Sequence, residues 1–172
     1  RSVVLLQSGI GKVNAALSTT LLLSKFEPGY VINIGSAGGF APDLNVGDVV
    51  ISAQVVHHDV DVTAFGYTIG QVPSMPATYA ADPTLICQAQ DAVKVVNRVK
   101  AKVGLIGTGD SFMHDPVRVE SVRALFPDIV AAEMEAASVA QVCFKFGTPF
   151  VVVRSLSDVA GKESLQSFEE YL

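Results

Sequence analysis

Phe150-Val151-Val152-Val153 is the run that most narrows what this chain can become. Four apolar residues in a row, three of them β-branched, leave no polar face for water. The segment is therefore read as a strand buried on both sides in a parallel sheet. Without a turn residue it delivers Arg154, Ser155, Leu156, Ser157 and Asp158 at its C-terminal end, where open α/β sheets bind ligands. Burial there would disfavour the charged form of Asp158 and hold its proton. The plainer reading of such an Asp is a helix cap, but three other strands end in similar chemistry.

Further strands are read at Val3–Gln7, Val31–Ile34, Val49–Val56, Val103–Gly107 and Ile129–Ala132. Helical patterns alternate with them, at about Val13 to Lys25, Pro83 to Val96, Asp115 to Phe126 and Ala136–Phe146. The first should turn Ala15, Ala16, Leu17, Thr20, Leu21 and Leu23 to the core. Asp115-Pro116 is a helix start, and Gly147 with Pro149 a stop. Alternation of this kind predicts a three-layer α/β/α domain, with a mostly parallel mixed central sheet, spanning residues 1–172.

The chain is 49% hydrophobic and 17% charged, enough apolar matter for a core. Its net charge of −5, with scattered Lys and Arg, argues against nucleic acid as a partner. Cys87 and Cys143 are too few for a disulfide framework or a zinc site and suit a reducing compartment. No apolar run reaches the ~18–20 residues of a membrane span. The opening on Arg1-Ser2 and the unfinished amphipathic pattern at Ser167–Leu172 lead us to expect further chain at both ends, an N-terminal strand and helix and a C-terminal helix.

The turns are informative in different degrees. Ser8-Gly9-Ile10-Gly11-Lys12 lacks phosphate-loop spacing and reads as a tight packing turn. Gly35-Ser36-Ala37-Gly38-Gly39 would let a ligand approach the backbone. His57-His58-Asp59-Val60-Asp61 invites a metal reading. Adjacent strand residues face opposite ways, however, and no third ligand cluster has metal spacing, so neither metal nor cofactor is expected. The long apolar loop from Thr63 to Thr78, with Phe65, Tyr67 and Pro73, reads as a homodimer contact or, second, a lid.

Collected, the strand ends offer Ser36, Phe112-Met113, Glu133-Met134-Glu135 and Arg154 with Ser157-Asp158. An aromatic ring and two methionines suit a flat apolar ligand. A carboxylate can grip a diol, and a separate acid can protonate a leaving group. A nucleoside fits this inventory. Arg154 would oppose a protonated Asp158, so its guanidinium should turn to Glu133 or Glu135.

Ser-Gly-Ile-Gly-Lys, Asn-Ile-Gly-Ser-Ala-Gly-Gly, Asp-Val-Thr-Ala-Phe-Gly-Tyr, Gly-Asp-Ser-Phe, Glu-Met-Glu-Ala and Arg-Ser-Leu-Ser-Asp, in that order, resemble the bacterial 5′-methylthioadenosine/S-adenosylhomocysteine nucleosidases, in the nucleoside phosphorylase superfamily. The likeness runs from about Val3 to Leu172. It implies a cytoplasmic homodimeric hydrolase of adenine nucleosides, without cofactor. It implies Asp158 as the acid to adenine N7, with Ser157 holding it, and Glu135 on the ribose hydroxyls beside Met134. Phe112 would stack on adenine, with Met113 at its edge and Ala37 and Gly38 close to the ligand. Ser36, Glu133 and Arg154 would line the attacking water. Phe168 would close over the thioalkyl group, and Phe65 and Pro73 would reach into the partner's site.

One element of the family pattern is absent from these residues. The water-activating glutamate of the family follows its first strand, and neither Glu133 nor Glu135 replaces it, so low turnover is expected of these 172 residues alone. Two rivals remain beside this reading: a purine nucleoside phosphorylase, disfavoured because Val31-Ile32-Asn33-Ile34 carries no cation, and a catalytically silent nucleoside-binding domain.

Overall fold

A computed structural model describes residues 2–96 and 99–160. Helix α1 spans Lys12–Phe26, followed by strands β1 (Val31–Gly39) and β2 (Val49–His57). A single 3-10 turn at Thr63–Phe65 lies in the long loop before the short strand β3 (Tyr79–Ala80). Then come α2 (Pro83–Val96), β4 (Ala101–Thr108), α3 (Pro116–Leu125), β5 (Ile129–Glu133), α4 (Ala136–Phe146) and β6 (Phe150–Val159).

The expected α/β alternation and mixed sheet are present. The order is β3-β2-β4-β5-β1-β6, and an added β2–β6 pairing closes the sheet on itself. The long ladders, β1–β6, β2–β4 and β4–β5, are parallel. The short ones, β1–β5, β2–β3 and β2–β6, are antiparallel. Between Ala37↔Leu156 and Gly38↔Asp158 the ladder skips Ser157, an extra residue that puts a bulge in β6.

Val50, Ile51, Val55, Ile106, Val152 and Leu156 are fully buried between sheet and helices. Each such side chain contributes about 1.5–3 kcal/mol relative to exposure. Helix α4 buries Ala136, Ala137, Ser138, Val139, Ala140 and Cys143, and α1 packs on it. Small residues on this face let the helix axes approach closely. Asp115 caps α3 by accepting from the Val117 N–H at 2.9 Å, with Pro116 in the first turn, as the Asp-Pro pair predicts. Gly147 ends α4 at φ 69°, a left-handed cap that costs little without a Cβ.

Three expectations are corrected. Val3–Gln7 forms no strand, and Val3 and Leu5 are exposed; the edge of β1 over Val31–Ala37, opposite β6, has no strand partner among the described residues, since β5 pairs only with Gly38 and Gly39. Helix α1 buries Ala15, Thr19 and Leu23 but exposes Leu17 and Leu21, because the stripe that meets α4 is narrower than its apolar content. The glycine-rich segment after Ile34 is no loop: β1 runs on through Gly39, paired with β6.

Candidate active site

The registers bring the C-terminal ends of four strands together. Gly38 lies opposite Asp158 and beside Ala132, and Thr108 lies opposite Glu133. Gly38 leaves room for the acid: a Cβ there would sit 3.1 Å from Asp158 Oδ2. Ser157 Oγ donates to Asp158 Oδ1 at 2.7 Å, with the Ala37 carbonyl oxygen 3.4 Å away. Asp158 is only half-buried, not sealed as the strand reading expects. It stands on the wall of a cavity, so its dehydration depends on what fills that cavity.

Glu133, at the end of β5, is buried and fully engaged. Its oxygens accept from Thr108 Oγ1, from Arg154 Nη2, from the Ala136 N–H at 2.9 and 3.0 Å and from the Glu135 N–H at 2.9 Å. The carboxylate thus sits at the N-terminus of α4, where its charge meets free backbone donors. Thr108 Oγ1 in turn accepts from the Ala137 N–H at 2.8 Å. With its lone pairs occupied, Glu133 holds the site together and has no spare acceptor for proton transfer.

Arg154 turns to Glu133, as the sequence predicts. Its Nη2 also donates to Asn33 Oδ1 at 2.7 Å and lies 3.7 Å from Glu135 Oε2. Gly35 is required beneath it, since any Cβ there would overlap Nη1. Glu135 Oε1 accepts from the Gly11 N–H at 2.9 Å. Burial pushes the Glu135 carboxyl above its ordinary range; the Gly11 N–H pulls it back, Glu133 pushes it further and Arg154 lowers it. Asn33, Thr108 and Gly11 are missed by sequence reasoning, although Thr108 ends a buried strand as the other site residues do.

One cavity is lined jointly by Gly38, Phe112, Met113, Glu133, Met134 and Asp158. Met113 is buried, while Phe112 is 54% exposed and stacks on His114, with centroids 5.8 Å apart. Glu135 lies next to Met134 but turns its carboxylate to Gly11 and Arg154 rather than to the cavity wall. Ser36 and Ala37 precede Gly38 on β1, opposite Ser155 and Leu156. Phe65 and Pro73 are exposed on the loop after β2 and contribute nothing to this wall. Phe168 lies outside the described residues. A roomier cleft of about 390 Å³ beside Phe40, Val119 and Arg123 holds none of the strand-end carboxylates.

His57 Nε2 meets Gln141 Oε1 at 2.9 Å, and His58 packs where a Gly109 Cβ would lie. Burial lowers the pKa of both. No group of three metal-ligating side chains occurs among the described residues, and no described helix is long and apolar enough to cross a membrane.

The sequence matches the phosphorylase superfamily over residues 1–171. It is 80% identical over 172 residues to a 5′-methylthioadenosine/S-adenosylhomocysteine nucleosidase of Marinomonas sp. (strain MWYL1), covering 100% of this chain and 74% of that protein. The nucleosidase of the same name from Bacillus subtilis (strain 168) is 65% identical over 170 residues, 99% of this chain and 74% of its own length. Among solved structures, the Colwellia psychrerythraea 34H nucleosidase in complex with adenine superposes with a TM-score of 0.92 at 53% identity, over 96% of this chain and 69% of that one. The Neisseria meningitidis nucleosidase with methylthio-immucillin-A gives 0.92 at 49% identity, over 96% and 71%. At such identity and coverage, joined to strand ends that bring Asp158 and Glu133 to one cavity, the chain belongs to the 5′-methylthioadenosine/S-adenosylhomocysteine nucleosidase family of the phosphorylase superfamily.

Proposed function

We propose that this protein hydrolyses the N-glycosidic bond of 5′-methylthioadenosine and S-adenosylhomocysteine, releasing adenine and the thioribose. The observation that carries the reading is the shared cavity, in which an acid on β6 faces an aromatic and two methionines. Asp158 gives its proton to adenine N7 as the C1′–N9 bond breaks; water oxygen bonds to C1′ and its proton passes to bulk water, from which Asp158 is reprotonated. The transition state has oxocarbenium character, as in glycoside cleavage. Neutralising the departing base in this way supplies about 10²–10⁴-fold.

The remaining roles follow from position. Ser157 orients Asp158, supported by its 2.7 Å hydrogen bond. Glu135 takes the ribose hydroxyls once substrate enters, with Met134 beside it, while Phe112 and Met113 cover the base. Ser36 and Arg154 border the water, and Phe168 covers the thioalkyl group. Glu133 keeps Arg154 and α4 in place. The exposed ring of Phe65, with Pro73, supports a homodimer in which this loop reaches the partner's site. The helices are taken to cover the sheet in three layers, as one domain, and the enzyme to act in the cytoplasm.

A phosphorylase would need a cation for phosphate. At the corresponding strand Asn33 is neutral and is occupied by Arg154, which favours water as nucleophile. Adenine release from 5′-methylthioadenosine should proceed equally with and without inorganic phosphate. Strict dependence on phosphate would make the enzyme a phosphorylase; no release in either condition, with the N-terminal segment that carries the family's water-activating glutamate restored, would leave only a binding domain.

A further inference from the structure

We propose that Asp59 is a positioning residue for the sugar-binding carboxylate, acting through Lys12, Asp110 and the Gly11 amide. This rests on the assignment of Glu135 to the ribose hydroxyls. Asp59 follows β2 and belongs to none of the strand ends that line the cavity. Its two oxygens accept from Lys12 Nζ, each at 2.8 Å, and its Oδ2 also accepts from the Asp110 N–H at 3.0 Å. Asp110 Oδ1 returns along the same path by accepting from the Lys12 backbone N–H at 2.9 Å.

Asp59 therefore straps together the first residue of α1 and the loop that follows β4. The next amide back, that of Gly11, donates to Glu135 Oε1 at 2.9 Å. Gly11 stands at φ 91°, with Asp110 Oδ1 3.3 Å from where a Cβ would be, so the turn that aims this amide is set against Asp110. A carboxylate that must grip two hydroxyls needs its own rotamer fixed by a neighbouring shell. Here the shell ends in one backbone donor, next in the chain to the Lys12 amide that Asp110 holds. The loop that Asp59 holds also continues into Ser111, Phe112 and Met113, the base-facing side of the cavity.

The test compares 5′-methylthioadenosine with its 3′-deoxy analogue, by kcat/KM, in the protein and in Asp59→Asn, Lys12→Met and Glu135→Gln. Glu135→Gln should abolish the preference for the hydroxylated substrate. Asp59→Asn and Lys12→Met should reduce it by about threefold or more through KM. An undiminished preference in both strap variants, with the preference lost in Glu135→Gln, overturns the inference and leaves the Glu135 assignment standing. No preference in the unsubstituted protein overturns the Glu135 assignment and the strap with it. Lys12→Met keeps the test open should Asp59→Asn fail to fold.

Discussion

Arg154 and Glu133 form an ion pair whose side chains are 3% and 2% exposed, where β6 and β5 end. Two buried charges gain from each other only when their remaining donors and acceptors are met. Glu133 meets that condition with Thr108 and the Glu135 and Ala136 amides at the start of α4; Arg154 adds Asn33 but leaves its buried Nε without a partner among the described residues. Arg154→Met would leave Glu133 charged and unbalanced in the core. We expect a loss of about 3–5 kcal/mol in urea unfolding at neutral pH; a loss near zero would mean that the α4 amides suffice alone.

Asp158 separates catalysis from binding. Asp158→Asn keeps the shape of the side chain and an acceptor for Ser157 Oγ but has no proton to give. Adenine release should fall by about 10²–10⁴-fold, while calorimetry should still detect 5′-methylthioadenosine binding. Retained turnover would remove Asp158 from the role of acid.

Glu135 gives stability a pH dependence whose sign is fixed. Burial raises its folded pKa above the ordinary 4.5, so the folded state holds its proton where the unfolded state has released it. Stability from this group is complete below pH 4.5 and declines as pH rises through the raised folded value. Glu135→Gln carries no such titration. The stability difference should move in favour of Glu135→Gln across that window and then level off. Urea midpoints taken at several pH values read this directly, and a difference independent of pH would contradict the burial argument.

The β6 run was legible because β-branched residues without a polar face have few other places to go, and its register with β1 then sets Gly38 against Asp158. The turn of Arg154 toward Glu133 followed from charge alone. What sequence could not give was long-range. The β2–β6 closure pairs Val49–Ile51 with Val153–Ser155, segments far apart in the chain that no local pattern links. Val3–Gln7 has the composition of a strand yet pairs with none, although β1 is open along Val31–Ala37 on the side away from β6. The Gly11–Glu135 hydrogen bond joins residues 124 positions apart, and a backbone donor leaves no mark in side-chain chemistry.

Tyr79 offers a stabilising change within the core. It is 3% exposed, and its hydroxyl has no hydrogen-bond partner among the described residues. Its ring meets His57 edge-on at 6.3 Å and Phe144 at 5.9 Å. An unmet buried hydroxyl costs about 1–3 kcal/mol, and Tyr79→Phe removes that cost while keeping both ring contacts. We expect a gain of about 1 kcal/mol in urea unfolding. Burial also pushes the Tyr79 phenol from 10.0 up to about 12, so the unfolded chain ionises first and the parent loses stability as pH climbs between those values. Tyr79→Phe lacks that loss, and its advantage should widen above pH 10. A lower midpoint for Tyr79→Phe would instead show that the hydroxyl is bonded.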